Sequence, residues 1–322
     1  MKLPIHIDDI RAASERIRSR IHETPVLDSR SINAAVGSDC VFKCENFQRT
    51  GSFKFRGACN AVFSLSGKDA GKGVVTHSSG NHAAALALAA GERGIHADIV
   101  MPEKTLSNKI RAVESYRGRI IFCRDTLEAR EKTTTDVVSA TGAIFIHPSD
   151  DPLVMAGQGT AALELAARCP DLDAVLAPVG GGGLLSGTAT VVKALYPRTA
   201  VYGCEPEKAD DAFRSLRSGT IVKPQSPDTI ADGLRTALGV NTFHVIQKTV
   251  DDILLVPETA IVDAMQLLFE RMKIVVEPSG AVSLAAVLTH RDRLARMKLG
   301  IILSGGNADL NAYWHLLRSR MG

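Results

Sequence analysis

The sequence predicts an α/β protein made of two doubly wound domains with mainly parallel sheets. From residue 72, short apolar runs alternate with glycine-bearing turns and helical stretches, as in "GVVTHSSGNHAAALALAAGERG". A second series of strands and helices follows from residue 154. Because such alternation favours parallel strands joined by crossover helices, each series predicts a doubly wound sheet.

The individual elements follow from apolar periodicity. Apolar residues spaced by three or four predict helices, and short apolar runs beside glycine or polar turns predict strands. The first elements expected are a helix at 7–21, two strands around a polar turn across 36–47, a helix from 52 to 65, three strand–helix units across 73–142, and a closing strand at 143–148. The second series comprises a helix at 154–168, strands at 174–180 and 200–206 around a helix at 184–195, the strand "DDILLVPE", helices at 258–272 and 279–289, and a strand at 300–307.

These two series predict a division into domains. We expect a small domain at 72–147 and a large domain formed by 1–71 and 148–322. Sheets of this class bind ligands in clefts at the carboxyl ends of their strands. The active site is therefore expected between the two domains.

The composition excludes several classes of protein. The 322 residues are enough for two domains or one large α/β unit. A net charge of +3 gives no reason to expect nucleic acid or an anionic membrane as a partner. Apolar runs such as 83–90 are far shorter than the roughly 20 residues of a membrane helix, and the N-terminus does not resemble a signal peptide.

The cysteines indicate a reducing compartment. Six of them are scattered along the chain without a Cys-x-x-Cys pair. In a chain of this length they are typical of reduced core thiols in a cytoplasmic protein, and a disulfide framework is the alternative.

The segment "APVGGGGLLSGTA" at 177–189 predicts a phosphate site. Four consecutive glycines, Gly180 to Gly183, follow an apolar strand and precede a helix. Their backbone N–H groups can surround an anion at the positive end of the helix. A tight turn alone is the alternative, but it needs only one or two glycines. Two nucleotide motifs fail, because Thr188 replaces the Walker lysine and Leu185 replaces the last glycine of GxGxxG.

Three further polar stretches lie next to predicted strands. "THSSGNHAAALA" at 76–87 combines hydroxyl, amide and imidazole groups at a helix start, which suits a carboxylate better than a simple N-cap does. "LSGGN" at 303–307 ends an apolar strand. "EPEKADD" at 205–211 offers hard oxygen ligands for Mg²⁺ or Ca²⁺, with a solvated acidic loop as the alternative.

Lys54 lies between two phenylalanines in "GSFKFRG" at 51–57. Either it is a surface lysine on an amphipathic helix or it is a buried amine held for chemistry. Desolvation between Phe53 and Phe55 would favour the neutral amine, which is the nucleophilic form.

In this order, "TGSFKFRGA", "SSGNH", "PVGGGGLLSG", "CEPEKADD" and "LSGGN" resemble one family. They are similar to the pyridoxal-phosphate (PLP) enzymes of the tryptophan-synthase-β fold, in particular the serine/threonine dehydratases and serine racemases. The likeness covers roughly residues 20 to 315 and also includes "MAGQGTAALE" and "IADGL". It places PLP in the cleft between the two domains.

The resemblance implies roles for matching residues. The residues implied to bind PLP are Phe53, Lys54, Asn81, Gly180, Gly181, Gly182, Gly183, Leu184 and Ser304. Those implied to hold the substrate carboxylate are Ser78, Ser79, Asn81 and His82. Those implied to bind Mg²⁺ or another divalent cation are Glu205, the carbonyl of Ala209 and Asp211.

The implied reaction is an ammonia-lyase reaction on a β-hydroxy amino acid. Lys54 would link to the cofactor as an imine and, once released, take the Cα proton, while the ring stabilises the carbanion. Ser304, facing the pyridine nitrogen, would leave the ring less protonated than an aspartate would. Loss of the β-hydroxyl then gives an oxo acid and ammonia, from serine, threonine or 3-hydroxyaspartate.

Several alternatives stay open. Ser79 matches a serine that reprotonates Cα from the opposite face in racemases, so racemisation is the main alternative. The racemase pattern has two serines where this chain has Thr236 and Ala237, which puts serine specificity in doubt. Arg130 and Arg235 are candidates for binding a second carboxylate, or else are surface arginines.

Two other functions receive less support. A β-replacement enzyme would typically have a threonine-rich substrate loop and a "GTGG"-like phosphate loop. A catalytically silent amino-acid-binding regulator is disfavoured because all the expected chemical residues are present. The family also implies a homodimer.

Overall fold

A computed structural model of the chain describes residues 3–225 and 227–318. These residues form two sheets covered by helices. The strands are β1 (Val26–Asp28), β2 (Asp39–Cys44), β3 (Val74–His77), β4 (Ala97–Pro102), β5 (Arg119–Cys123), β6 (Ile144–Phe145), β7 (Ala174–Pro178), β8 (Ala200–Pro206), β9 (Asp252–Val256) and β10 (Lys298–Leu303).

The helices connect these strands and cover both sheets. They are α1 (Ile7–Ile17), α2 (Arg30–Val36), α3 (Lys54–Ser64), α4 (Gly67–Ala70), α5 (Asn81–Arg93), α6 (Ser107–Ser115), α7 (Leu127–Thr141), α8 (Pro152–Arg168), α9 (Gly183–Leu195), α10 (Asp211–Ser218), α11 (Val240–Thr249), α12 (Glu258–Leu267), α13 (Pro278–Thr289), α14 (Arg291–Leu294) and α15 (Leu310–Arg318). Short 3₁₀ turns span Glu45–Phe47, Arg49–Gly51, Glu207–Ala209 and Asp232–Leu234, and a π-helical turn spans Leu268–Met272.

Both sheets have the predicted parallel character. The larger has the strand order β1-β2-β10-β7-β8-β9, and β1 alone among these strands pairs antiparallel. The smaller has the order β5-β4-β3-β6 and is parallel throughout. This arrangement confirms the predicted α/β fold class. Strand order that departs from chain order is what crossover helices produce.

The helices α8 and α9 pack unusually close together. A Cβ built on Gly187 of α9 would lie 2.5 Å from the backbone nitrogen of Gly159 in α8. Only residues without side chains permit this approach. Because α9 begins at the glycine loop, α8 supports that loop through α9.

Some predicted elements differ from the observed ones. Only one strand, β2, lies within 36–47, because Gly37 adopts φ 74° and ends helix α2 instead of turning between strands. The helix predicted from Ser52 begins at Lys54, because Ser52 forms a β-bridge with Gly305. The helix predicted at 258–272 changes to π-helical geometry after Leu267.

The cysteines and the helices agree with the expectations from composition. Five of the six cysteines are buried and Cys169 is half-buried, as expected for thiols that pack mostly in the core. Across the two described ranges, every helix is too short or too polar to cross a membrane.

Candidate active site

The predicted motifs meet where strands of the two sheets end. Ser78 follows β3, Gly180 lies two residues after β7, and Ser304 follows β10. Lys54 begins α3, next to the end of β10. Strand ends of this kind form the usual ligand cleft of α/β proteins.

A strained turn fixes the start of α3. Thr50 and Gly51 both adopt left-handed backbone conformations, with φ of 59° and 73°. Ser52 then bridges Gly305, and the backbone N–H of Phe53 donates to the carbonyl of Ser304 at 3.0 Å. A left-handed threonine is rare and costs energy that the surrounding contacts must supply. Lys54 and Ser304 are therefore held side by side by backbone contacts.

The Lys54 amine lies in a desolvated position. Its Nζ donates to the carbonyl of Pro148 at 2.8 Å and lies 5.1 Å from the centroid of the Phe53 ring. Burial lowers the pKa of Lys54 to about 8. A much larger fraction of this amine is therefore neutral at physiological pH than is usual for lysine. The buried-amine interpretation of "GSFKFRG" fits these contacts better than the surface interpretation.

The four glycines form a cradle that has no room for side chains. A Cβ on Gly181 would lie 2.3 Å from Ser149 Oγ, and one on Gly182, whose φ is 83°, would lie 2.8 Å from Leu238 Cδ2. Within the described ranges, the backbone N–H groups of Gly181 to Leu184 donate to no protein acceptor. Free N–H groups at the start of α9 fit a phosphate.

The loop before α5 is a second cluster of free donors. Gly80 N–H donates to Ser78 Oγ at 3.3 Å, which shapes the loop. In the described part of the chain, the backbone N–H groups of Ser79, Asn81 and His82 have no acceptor. Like the glycine loop, this helix start can bind an anion such as a carboxylate.

The Asn81 side chain connects the two sheets. Its Nδ2 donates to Glu277 Oε1 at 2.7 Å, and its Oδ1 accepts from Asn307 Nδ2 at 2.9 Å. Asn307 Nδ2 also donates to the carbonyl of Thr50 at 2.6 Å. Burial, reinforced by Asp232, raises the pKa of Glu277 to about 7. The substrate loop, the "LSGGN" motif and the lysine turn are therefore hydrogen-bonded to one another.

Two imidazoles lie close to Lys54, the buried His82 and the half-buried His147, and both have lowered pKa values. Burial lowers the pKa of His82 well below its usual value, and its ring faces the carbonyl of Ile146 without forming a well-aligned hydrogen bond. Burial also lowers the pKa of His147 to about 4. His147 Nδ1 accepts from the backbone N–H groups of Ser149 and Asp150, so the proton of this neutral ring is on Nε2.

The two candidate arginines occupy different environments. Arg130 is half-buried on α7, and its charge adds to burial in lowering the pKa of His77 at the end of β3. The Nε of Arg130 donates to the carbonyl of Thr126 at 3.4 Å, at the start of the same helix. Arg235 donates through Nε to the carbonyl of Thr229 at 3.0 Å, so that carbonyl already holds its guanidinium.

Thr236 still presents a hydroxyl to the glycine loop, because its Oγ1 lies 3.2 Å from a Cβ built on Gly180.

The predicted cation ligands lie together beyond β8. Glu205 accepts from the backbone N–H groups of Ala212 and Phe213, both at 2.8 Å. Both carboxylate oxygens of buried Asp211 are without a hydrogen-bond partner in the described ranges. Burial raises the pKa of Glu205 to about 9 and that of Asp211 to about 7. Among the described residues no group of three acidic, histidine or cysteine side chains could hold a metal, so the carbonyl of Ala209 would have to complete the set.

Three polar contacts were not predicted, although one of the residues that make them, Asn307, belongs to the predicted "LSGGN" motif at the carboxyl end of a strand. Ser149 lies against Gly181 and Gly183, while Glu277 and Asn307 hold the two ends of the Asn81 amide. "HPSDD" follows the closing strand directly, and polar residues after a strand are a signal that identifies Ser149. No local pattern marks Glu277, which precedes a proline at the start of α13.

The residues present fit PLP. A cradle too tight for any Cβ, free N–H groups at a helix start and a lysine with a lowered pKa are the features that a phosphate and an aldehyde require. The cradle and the lysine belong to the same site, since Pro148 contacts Lys54 and Ser149 contacts the glycines.

Comparisons with known proteins give a consistent result. The family model described as "Pyridoxal-phosphate dependent enzyme" matches residues 17–305. The chain is 49% identical to the serine racemase of Dictyostelium discoideum, over 97% of this chain and 98% of that protein. It is 46% identical to the beta-hydroxyaspartate dehydratase of Paracoccus denitrificans, with 97% and 98% coverage. Its fold matches the structure of maize serine racemase with a TM-score of 0.94 and 46% identity, covering 99% and 98% of the two chains.

Proposed function

Because the chain belongs to the family of pyridoxal-phosphate-dependent enzymes, we propose that it is an ammonia-lyase acting on a β-hydroxy amino acid. The proposed substrates are 3-hydroxyaspartate, serine and threonine, and the products are an oxo acid and ammonia. One observation carries the assignment of the site. Lys54 Nζ donates to Pro148, and the next residue, Ser149, lies against the glycine loop, so the amine and the anion cradle adjoin.

We propose that this chain's residues divide the work as follows. The N–H groups of Gly180 to Leu184 hold the cofactor phosphate, and Asn81 and Ser304 orient its ring. The bound cofactor supplies a sink for the electrons left when the Cα–H bond breaks. The Lys54 amine, which burial makes easier to deprotonate, takes that proton at Nζ. The N–H groups of Ser79, Asn81 and His82 hold the substrate carboxylate.

The neutral imidazoles keep positive charge away from Lys54. If His82 were protonated it would oppose protonation of Lys54 Nζ during proton transfer, but burial keeps it neutral. His147 is also neutral above about pH 4. The Lys54 amine therefore accepts the Cα proton without a neighbouring cation on either histidine.

A substrate panel tests this proposal. The cofactor-loaded protein is expected to release an oxo acid from at least one of serine, threonine and the diastereomers of 3-hydroxyaspartate. If Arg130 binds the second carboxylate, Arg130→Ala should lower turnover of 3-hydroxyaspartate by about tenfold to a hundredfold relative to serine, since a charge-assisted bond is lost. Arg235→Ala is the matched control and should not change that ratio, because Thr229 already holds Arg235. No oxo acid from any substrate would refute the proposal.

Racemisation is the second candidate function. It is favoured by Ser79, which is half-buried in the substrate loop next to the free N–H groups, and by the similarity to serine racemases. Ser79 would return a proton to Cα on the face opposite Lys54. Elimination and racemisation begin with the same loss of the Cα proton, so one site can carry both.

The glycine cradle gives a prediction about cofactor affinity. Gly182→Ala forces an L-residue into a left-handed conformation and places its Cβ 2.8 Å from Thr242 Cβ. Such strain costs about 1–3 kcal/mol, so we expect the Kd for PLP to rise by roughly five- to 100-fold. The measurement is a titration of cofactor-free protein, followed by absorbance.

The matched control for this variant is Gly219→Ala. Gly219 also has a left-handed φ, of 73°, but it ends α10 away from the cradle. It should lower the Tm without changing the Kd for PLP. Equal losses of PLP affinity in both variants would contradict a specific role for the cradle.

We also propose that Glu205, Ala209 and Asp211 bind Mg²⁺ or a similar cation. The support is a pair of buried carboxyl groups with raised pKa values, and the Asp211 carboxyl has no hydrogen-bond partner among residues 3–225 and 227–318. At about 100 times the Kd, Mg²⁺ should stabilise the fold by about 2.7 kcal/mol, seen as a higher Tm. Asp211→Ala should abolish this rise, whereas Asp210→Ala should keep it, because Asp210 instead pairs with Arg214. A Tm that does not respond to Mg²⁺ after chelation would exclude the site.

Three broader features are proposed as well. We retain the division into a small domain at 72–147 and a large domain of 1–71 and 148–322. A homodimer is supported by exposed apolar side chains at Phe47 and Val275, which adjoin through the bond from Asn46 to the Val275 carbonyl. The unpaired thiols support a cytoplasmic location. Light scattering of the purified protein tests the dimer.

A further inference from the structure

Three buried charged side chains and one half-buried one bond to one another near the start of α3, and we call them the charge cluster: Lys43, Glu45, Arg56 and Glu164. Lys43, Glu45 and Arg56 are fully buried, and the side chain of Glu164 is 18% exposed. Two cations and two anions make the cluster neutral. Arg56 is the largest fully buried side chain among the described residues, and it follows Lys54 by two positions.

Arg56 makes two forked contacts with carboxylates. Its Nε and Nη2 donate to the two oxygens of Glu45 at 2.7 and 2.9 Å. Its Nη1 and Nη2 donate to the two oxygens of Glu164 at 2.6 and 2.8 Å. Nη1 also donates to Thr160 Oγ1 at 3.1 Å. Burial alone would lower the pKa of Arg56, but the carboxylates of Glu45 and Glu164 raise it. The guanidinium therefore stays charged and is held in one orientation.

The charge cluster connects the elements that hold three proposed cofactor-binding groups: Lys54, Ser304 and the glycine loop. Lys43 lies on β2, which pairs with β10, the strand that leads to Ser304. Glu164 and Thr160 lie on α8, which supports the glycine loop through its close contact with α9. Arg56 lies in the first turn of α3, which begins at Lys54. One guanidinium therefore fixes the start of α3 relative to the supports of both Ser304 and the glycine loop.

Stability alone does not account for this arrangement. Desolvation offsets much of the attraction in a buried ion pair, and apolar replacements are often as stable. What a forked guanidinium adds is orientation, because its planar donors fit two carboxylates in one geometry only. Orientation matters at Lys54, since a misplacement of about 1 Å at a reacting group can cost about 10²-fold in rate.

We propose that Arg56 is a positioning residue that holds the first turn of α3 so that the Lys54 amine stays in its desolvated place at the cleft. It acts through the backbone of α3 and touches neither substrate nor cofactor. The inference rests on the proposed function only in taking Lys54 as the reactive amine.

The test measures the apparent pKa of the Lys54 amine in the absence of cofactor and substrate. Full-length cofactor-free protein is labelled with acetic anhydride across a pH series, and mass spectrometry of the Lys54 peptide gives the apparent pKa. Arg56→Lys keeps the charge but cannot form two forks. We expect the pKa of Lys54 to rise from about 8 toward its ordinary value of 10.5, because burial is what lowers it. His82 and His147 stay neutral above pH 7 and should not disturb the titration.

Lys43→Met is the matched control. Lys43 is equally buried in the charge cluster, but it lies on β2 and bonds to Glu164 and the carbonyl of Thr24. We expect this variant to lower the Tm and leave the pKa of Lys54 unchanged. If Arg56→Lys does not fold, Glu45→Gln weakens one fork and should raise the pKa of Lys54 by a smaller amount.

Two results would overturn the proposal. One is a lower Tm in Arg56→Lys with no change in the pKa of Lys54, which is what a purely structural role gives. The other is an equal pKa rise in Lys43→Met. In the cofactor-loaded protein, Arg56→Lys should lower kcat by about 10²-fold with little change in KM. Failure to bind PLP would refute the proposed function, whereas the labelling result would still stand.

Discussion

Lys54→Ala is expected to lower kcat/KM for every substrate by about 10⁴-fold or more, because the variant lacks the residue proposed as both cofactor anchor and base. The contacts of Lys54 explain the size of the expected decrease in kcat/KM. Among the described residues, the hydrogen-bond acceptor of its Nζ is the carbonyl of Pro148, and Nζ lies 5.1 Å from the centroid of the Phe53 ring. The visible absorbance band of the bound cofactor should disappear along with activity. Oxo-acid release and the absorbance spectrum are the two measurements.

Lys72→Ala is the control for Lys54→Ala. Lys72 is exposed and pairs with Asp69, so its loss should change neither activity nor the spectrum. The Tm of Lys54→Ala in the absence of cofactor should equal or exceed that of the wild type, since a desolvated amine is removed. Activity within about tenfold of wild type in Lys54→Ala would rule out Lys54 as the base.

Ser79→Ala is expected to lower racemisation by about 10²-fold or more, because a proton donor positioned at the reacting carbon contributes about 10²- to 10⁴-fold. Elimination should fall much less, since the backbone N–H of Ser79 remains in place to bind the carboxylate. The measurement is chiral analysis of the remaining amino acid alongside oxo-acid release.

The neighbouring hydroxyl provides the control for Ser79→Ala. Ser78 Oγ accepts from Gly80 N–H and so shapes the loop. Ser78→Ala should therefore change racemisation and elimination by similar factors. A Ser79→Ala variant that keeps the wild-type ratio of the two reactions would mean that another group reprotonates Cα.

Much of the fold could be predicted from the sequence because its elements carry strong local signals. The strand at 200–206 was predicted with its observed bounds, and α9 begins one residue from its predicted start, because apolar runs and glycines mark both. The error at 36–47 arose because Gly37 ends a helix there, and a glycine in a polar turn looks the same in either setting.

The site was predicted as motifs but not as contacts. The sequence shows that several of the motifs follow predicted strands, and parallel strands bring their carboxyl ends together. The bond from Lys54 to Pro148 and the one from Asn81 to Glu277 join distant parts of the chain, which no local pattern encodes. The role of Arg56 could not be predicted for the same reason, since its carboxylate partners Glu45 and Glu164 lie in the 3₁₀ turn after β2 and on α8.

β10 is near the end of the chain, yet it lies between β2 and β7 in the larger sheet. During synthesis, β2 and β7 therefore leave the ribosome long before the strand that separates them, and their backbone edges stay unpaired until residue 303 has emerged. The smaller sheet uses only residues 74–145 and can form first. Closure of the larger sheet is therefore a late, non-local step, and until it occurs the edges of β2 and β7 that face β10 are open to pairing with other chains.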